Sequence, residues 1–461
     1  MTAAARVGAL FAYDFDLGGL ASLAPRFEFD RAGFDLFSFP SNAGLVGFDL
    51  ERFADRQARR GRRRGWAGVL SAQEQFGALG AALVAERLGL PGTRPEAVIA
   101  AQHKLHARAV LERVAPEANL RFEPLQARYG GPVPEGLAYP VFVKPVKAAF
   151  SVLAREVASR DDLHRHTRFG RRELWIIRHL VEPFERVARA RLPGAGTAHR
   201  MLLEEPLPVA TPQYNLDGWV FDGRVHLLGV VDAVMHPGTN AFMRWEVPSR
   251  LDAAVQQRAL DVARRFLGAI GFTHGFFNLE FFHDPVSDRL AVIEFNPRLA
   301  SQFADLYRRV LGADPFAMLA ALSVGDDPLT LARAVPTDGA AASLVYRCFP
   351  GEPLPAMPGP GQRRALMTQF NDALLFTFPK SGRSVARDFK WLGSWRHGDL
   401  HLGGRDRADL RERAERASAL LGWRAPYREP APEAPPDLDL STSSTVCRGA
   451  AVGPALQGVL R

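Results

Sequence analysis

The sequence predicts an α/β fold of the mixed, α+β kind, and three observations carry that expectation. Strand-like runs alternate with helix-like stretches over residues 1–92, the pattern of a parallel α/β domain. Residues 275–282 and 290–298 are aromatic and β-branched runs separated by the polar stretch 283–289, which suggests an antiparallel hairpin. At 461 residues and 47 % hydrophobic content, the chain has material for about two to four domains with real cores.

In chain order, residues 5–13 read as the opening strand, 34–39 as a second and 66–71 as a third, followed by a helix from about 73 to 88. No GxGxxG fingerprint is present, so no dinucleotide is assigned. The basic run from Arg59 to Arg64 lacks interleaved aromatic residues, so it reads as a solvated loop and no nucleic-acid partner is expected. Residues 89–92 mark a boundary, and Thr93-Arg94-Pro95-Glu96 opens the next helix with a capping-box pattern. Residues 139–147 form a strand ending in Lys144 and Lys147. Ser159 caps one helix, and 174–192 forms another, with Ile176, Leu180, Phe184 and Val187 facing the core. Strands at 213–220 and 224–232 turn at Asp222-Gly223, whereas 236–246 shows no pattern and reads as a loop. A helix capped near Asp252 runs to about Leu267 and ends at Gly268 and Gly271. After the central hairpin come a helix from 299, strands near 343–347 and 372–378, a helix at 407–421, and a Pro-, Asp- and Ser-rich stretch at 430–444 that reads as a disordered tail. The expected divisions are 1–92, 93–335, 336–425 and a tail at 426–461.

The central hairpin also carries chemistry. Side chains alternate faces along a strand, so Asn278 shares a face with Glu280, and Glu294 with Asn296. A loop centred near Ser287 puts Glu280 opposite Glu294. Two bare carboxylates across a hairpin repel, and a divalent cation between them removes that cost. Oxygen ligands favour Mg²⁺, with Mn²⁺ as an alternative ion. Arg298 follows closely and suits a phosphate. Of the 58 Lys plus Arg, five are Lys, and three of those are Lys104, Lys144 and Lys147.

Glu280 followed by Glu294-Phe295-Asn296-Pro297-Arg298 resembles the signature of the ATP-grasp superfamily, and residues 68–104 resemble the entry into its nucleotide-binding domain. The likeness extends over about 68–321. It implies an ATP-grasp fold with an N-terminal parallel α/β domain, a two-lobed ATP-binding core whose lid spans about 126–208, and a small β-rich C-terminal lobe. It further implies Mg²⁺ on Glu280, Glu294 and Asn296, with Arg298 and Lys147 acting on the transferred phosphate. Lys104 and Lys144 would hold ATP phosphates, and Glu204, Glu205 and Leu207 would meet the adenine and ribose. The sequence departs from the family in the loop 147–152, which lacks glycines; Lys147 and Ser151 stand where backbone amides would otherwise cover the phosphates. Gln302 and Tyr307 fall nearby, with helix surface and core as equal alternatives.

The expected activity is ATP-dependent carboxylate–amine ligation through an acyl phosphate, acting on a small-molecule carboxylate and amine. The alternatives are a biotin-carboxylase-like carboxylase and a non-catalytic ATP-binding protein. No membrane span or signal peptide is read from the sequence, and Cys348 and Cys447 form no metal or disulfide pattern, so a cytoplasmic protein is expected. A homodimer through the N-terminal or C-terminal lobe is left open.

Overall fold

The computed structural model describes residues 4–24, 26–36, 41–126, 131–148, 153–208 and 211–427, and the structural statements below concern those residues. The N-terminal region runs β1 (Ala5–Leu10), α1 (Asp14–Ala21), β2 (Phe27–Ala32), α2 (Leu50–Arg64), β3 (Gly68–Leu70) and α3 (Gly77–Leu88). Its strands form a parallel sheet in the order β2–β1–β3. The second strand lies at 27–32, ahead of the expected 34–39, of which 37–39 fall outside the described residues. Its sequence hid it, because the buried Asp30 breaks the apolar alternation. Trp66 Nε1 donates to Asp30 Oδ2 at 2.6 Å, and Arg64 pairs with the same carboxylate. Burial of Trp66 in turn requires Gly8, where a Cβ would lie 2.4 Å from the indole ring. The basic run is the last turn of α2, not a loop, and Gly65 closes that helix with φ of 68°.

The helix expected to open at 93–96 is followed, after a break at His103, by a second: they are α4 (Pro95–Gln102) and α5 (Lys104–Val114). His103 makes that break with an extended backbone, and its Nδ1 accepts from the His106 N–H at 3.2 Å, capping α5. Thr93 forms no capping box. Its hydroxyl accepts from the Thr273 and His274 amides, tying the domain boundary to the central region.

A four-stranded antiparallel sheet follows. It comprises β4 (Phe122–Pro124), β5 (Val141–Pro145), β6 (Arg155–Val157) and β7 (Met201–Glu204), in the order β4–β7–β5–β6. Helices α6 (Arg160–Thr167) and α7 (Arg171–Arg191) lie between β6 and β7 in the chain. Ser159 caps α6 as expected, accepting from the Asp162 N–H. The apolar stripe of α7 is Ile177, Val181, Phe184 and Ala188, while Ile176 and Leu180 are half-buried at its edge.

The central sheet holds β8 (Gln213–Phe221), β9 (Arg224–Met235), β10 (Phe242–Val247), β11 (Gly275–Asp284), β12 (Arg289–Asn296), β13 (Ala340–Cys348), β14 (Leu374–Thr377) and β15 (Trp395–Gly404). Their order is β12–β11–β8–β9–β10–β13–β15–β14. Asp222 and Gly223 both take positive φ, the turn that matches hairpin twist between β8 and β9. The stretch read as a loop contains β10. Its polar residues sit inside a buried strand because Arg244 Nε and Glu246 Oε1 pair at 2.9 Å. The remaining helices are α8 (Ala253–Ala269), α9 (Ala304–Leu311), α10 (Pro315–Val324), α11 (Pro360–Gln369), α12 (Arg383–Leu392) and α13 (Arg407–Leu421). The C-terminal strands extend the central sheet, and Leu344, Leu366, Phe370, Leu400 and Leu410 form a local core among β13, β15, α11 and α13. Among the described residues no helix is long and apolar enough to cross a membrane.

Candidate functional site

Phe277, Leu279 and Phe281 turn one face of β11 into the core, so the alternate residues Asn278 and Glu280 occupy the other. Glu280 stands directly opposite Glu294, and Asn278 opposite Asn296, as expected. The register reaches this arrangement through a bulge. Phe281 pairs with Val292 and Glu280 with Glu294, so Ile293 is an extra residue on β12. Its carbonyl oxygen accepts from Arg108 Nη2 and Lys144 Nζ, each at 3.1 Å.

Burial, and next the Glu294 charge, push the Glu280 carboxyl well above the usual carboxylate range. Burial also opposes the Glu294 charge, but the Lys104 and Lys144 ammonium groups outweigh it and hold that carboxyl low. Lys104 Nζ lies 2.9 Å from Glu294 Oε2. The Asn296 Nδ2 donates to Glu280 Oε1 at 3.3 Å, and Gln213 Nε2 donates to Glu280 Oε2 at 3.2 Å. No group of three His, Cys, Asp or Glu side chains suited to a metal occurs among the described residues. Two carboxylates and an amide oxygen nevertheless fit a hard divalent cation that takes its other ligands from phosphates and water. An under-neutralised carboxylate at Glu280 is the charge such an ion would satisfy.

Three lysines converge on this pair from different elements. Lys104 opens α5 and also donates to the Ala148 carbonyl at 3.0 Å. Lys144, on β5, is 4 % exposed and pairs with Glu204 Oε2 at 2.9 Å. Lys147 is 1 % exposed, donates to the Glu74 carbonyl and sits 4.9 Å from the Phe184 ring; burial brings its ammonium down to about 8. Arg298 pairs with Glu74 Oε2 at 3.0 Å. Ser151 lies outside the described residues.

The two acids expected at the nucleotide each pair with basic side chains. Glu204 is enclosed with Lys144 and with Arg108, whose Nε donates to Glu204 Oε1 at 2.7 Å. The Glu205 carboxylate takes Arg121 and Arg289, and its N–H donates to the Arg121 carbonyl. Leu207 is half-buried just beyond. Tyr307 lies in the core, its hydroxyl on Asp217 Oδ2 at 2.7 Å. Glu74 and Arg108 were not singled out from the sequence. The polar run Ser71-Ala72-Gln73-Glu74-Gln75 at the carboxyl end of a parallel strand was the available signal for Glu74, because ligands in such sheets meet strands there. Arg108 gave none, being one arginine among many on a helix.

A parallel N-terminal sheet, a four-stranded antiparallel sheet and a central sheet bearing opposed carboxylates together define a class: the chain has the ATP-grasp fold. An L-amino acid ligase from Bacillus licheniformis matches it with a TM-score of 0.64 at 15 % identity, over 91 % of this chain and 98 % of that one. N5-carboxyaminoimidazole ribonucleotide synthetase from Thermus thermophilus matches at 0.57 and 19 % identity, over 90 % and 98 %. Biotin carboxylase from Campylobacter jejuni matches at 0.57 and 14 % identity, over 90 % and 91 %. In sequence, the chain is similar to carnosine synthase 1 of Gallus gallus, 30 % identical over 308 residues, which are 62 % of this chain and 31 % of that protein. The chain thus spans about a third of the length of the curated relative it matches. No protein-family model matches it.

Proposed function

We propose that the chain is an ATP-dependent carboxylate–amine ligase. The observation that carries this reading is the directly opposed Glu280–Glu294 pair with Asn296, ringed by Lys104, Lys144, Lys147 and Arg298. The similarity to carnosine synthase 1 and the fold shared with an L-amino acid ligase support it. In this reading Glu280, Glu294 and Asn296 hold Mg²⁺, which when bound neutralises phosphate charge at this site. Lys104 and Lys144 exchange backbone carbonyls for phosphate oxygens, which make stronger, charge-assisted acceptors. Leu207 is the group of its segment best placed to offer backbone to the adenine edge, since the Glu205 amide is engaged and Pro206 has none. A substrate carboxylate oxygen attacks the γ-phosphorus, the bond to ADP breaks, and an acyl phosphate forms. The amine nitrogen then attacks the carbonyl carbon, phosphate leaves, and the nitrogen loses its extra proton. Arg298 and Lys147 stabilise charge on the transferred group, and the work is positioning and electrostatics with no covalent protein residue.

The division at 92 and 335 and a cytoplasmic location belong to the same proposal. The test is ADP and phosphate release from Mg-ATP with pooled carboxylates and amines, beside Glu294→Ala and a chelator control. Release needing both pools, and lost in both controls, supports ligation. Release that needs bicarbonate and biotin instead would assign the chain to carboxylation. ATP binding without turnover on any pool would favour a non-catalytic role.

A further inference from the structure

Glu74 stands on the turn between β3 and α3, at the carboxyl end of the parallel sheet, and the chemistry proposed above gives it no task. The turn is pinned from several sides. Ser71 Oγ donates to the Leu10 carbonyl at 2.7 Å and accepts from the Gln73 N–H at 3.1 Å. Gln73 Oε1 accepts from the Phe76 and Gly77 amides at 2.8 and 2.9 Å. The Glu74 carbonyl accepts from Gln102 Nε2 at 2.7 Å and from Lys147 Nζ at 3.3 Å. These bonds hold the backbone, and none of them uses the Glu74 carboxylate.

Glu74 is 6 % exposed. Its Oε2 accepts from Arg298 Nη2 at 3.0 Å, whereas Oε1 takes no hydrogen bond among the described residues. Its charge is felt at Lys104, Lys147, Arg298 and Glu280, so it belongs to the same electrostatic neighbourhood as the carboxylate pair. The other acids there are committed: Glu280 and Glu294 to the cation in the reading above, and both Glu204 oxygens to Arg108 and Lys144. An enclosed carboxylate oxygen with no donor calls for an N–H or O–H from a ligand. Arg298 touches Glu74 and, in that reading, the transferred phosphate, so a ligand on Oε1 lies beside the acyl phosphate. We infer that Glu74 Oε1 receives the amine substrate and takes the proton its nitrogen sheds. The inference rests on the reading of the chain as a ligase acting through an acyl phosphate. The amine nitrogen bonds to the acyl carbon, the bond from that carbon to the phosphate oxygen breaks, and phosphate leaves with the electron pair. The N–H proton passes to Oε1, and the carboxyl then returns it to water. A pinned turn keeps this acceptor in place before the amine arrives.

Two nucleophiles separate this role from a structural one. Hydroxylamine traps an acyl phosphate as a hydroxamate, and its nitrogen is already unprotonated near neutral pH, so it reports carboxylate activation alone. Amide product, measured with pooled amines in its place, reports activation and amine attack together. Both are read with the full chain, Mg-ATP and pooled carboxylates. Glu74→Gln should slow amide formation about a hundredfold or more, as expected for a lost general base, while hydroxamate formation falls by no more than about threefold. Glu74→Asp keeps the charge but draws it back by one methylene, and serves should Glu74→Gln fold poorly. It should slow amide formation at least about tenfold, with hydroxamate again within about threefold of wild type. Slowing of both products in proportion, or of neither, overturns the role of Glu74 while the ligase reading stands. Hydroxamate from wild type with no amide from any amine overturns it too. Wild type that yields neither hydroxamate nor ADP with any carboxylate overturns the ligase reading and this inference with it.

Discussion

The enclosed cluster of Arg108, Glu204 and Lys144 is where a single substitution should tell most about how the four-stranded sheet is held. The two cations share one carboxylate, at 2.7 and 2.9 Å, and both also donate to the Ile293 carbonyl. Side-chain exposures are 2 %, 2 % and 5 %, so water screens little. One such pair at about 4 Å between charge centres is worth roughly 4 kcal/mol at an effective dielectric near 20. Arg108→Met removes that attraction and the bond to Asn119, but also relieves repulsion between Arg108 and Lys144 and leaves Glu204 one cation. The expected net loss is about 3 kcal/mol. Glu204→Gln removes the shared anion and leaves two enclosed cations facing each other, so it should cost more, about 5 kcal/mol. The assay is native-state hydrogen exchange of the β5 and β7 amides, where 3 kcal/mol is roughly a hundredfold in the opening equilibrium. A loss below tenfold for Glu204→Gln, or a larger loss for Arg108→Met, would refute the reasoning, since the shared anion would then not be what holds the three elements together.

Two further outcomes concern stability. Burial, offset in part by Asp305 and reinforced by Arg309 and Arg396, brings the His401 imidazole down to about 4. The folded state therefore resists a proton that the unfolded chain accepts near 6.5, so this contribution is full above pH 6.5 and is lost as pH falls toward 4, by up to about 3 kcal/mol. The stability difference between wild type and His401→Asn, from urea midpoints, should shrink over that window; a constant difference would contradict it. Gly218→Ala should cost at least about 2 kcal/mol, because its Cβ would sit 2.2 Å from the His226 carbonyl and 2.7 Å from the Phe277 ring, neither able to yield freely. An unchanged urea midpoint would count against that packing.

The hairpin shows both what could be read in the sequence and why it could be read. A turn centred near Ser287 puts Glu280 opposite Glu294, and they are opposite. The turn-proximal pairs, Asp284 with Arg289 and Phe282 with Ala291, are centred half a residue earlier. Continued without interruption, that register would have set Glu280 against Ile293. The inserted residue restores the carboxylate pair, and its trace in the sequence is the slip in alternation from Leu290 and Val292 to Phe295 on the core face. Strands with one apolar face were legible in this way, and so were helices with caps, such as α6 and α8. Strands β2 and β10 were not, because Asp30, Arg244 and Glu246 are buried beside partners distant in sequence or on the same strand, and periodicity does not register partners. The lysines could be singled out because arginine is used almost everywhere else. Glu204 was assigned by likeness, and its pairing with Arg108 left no mark in the sequence because the two lie far apart in the chain.

The continuity of the C-terminal strands with the central sheet bears on how this chain could be divided or recombined. β13 lies between β10 and β15, hydrogen-bonded to both. A chain ending at 335 would turn β10 from an interior strand into an edge, with residues such as Met243, Trp245 and Val247 flanking a row of open amides and carbonyls. Exposed apolar edges of this kind recruit other chains. The last lobe is thus not a detachable module, and transplanting the first 335 residues would carry an adhesive margin that the intact protein keeps sealed.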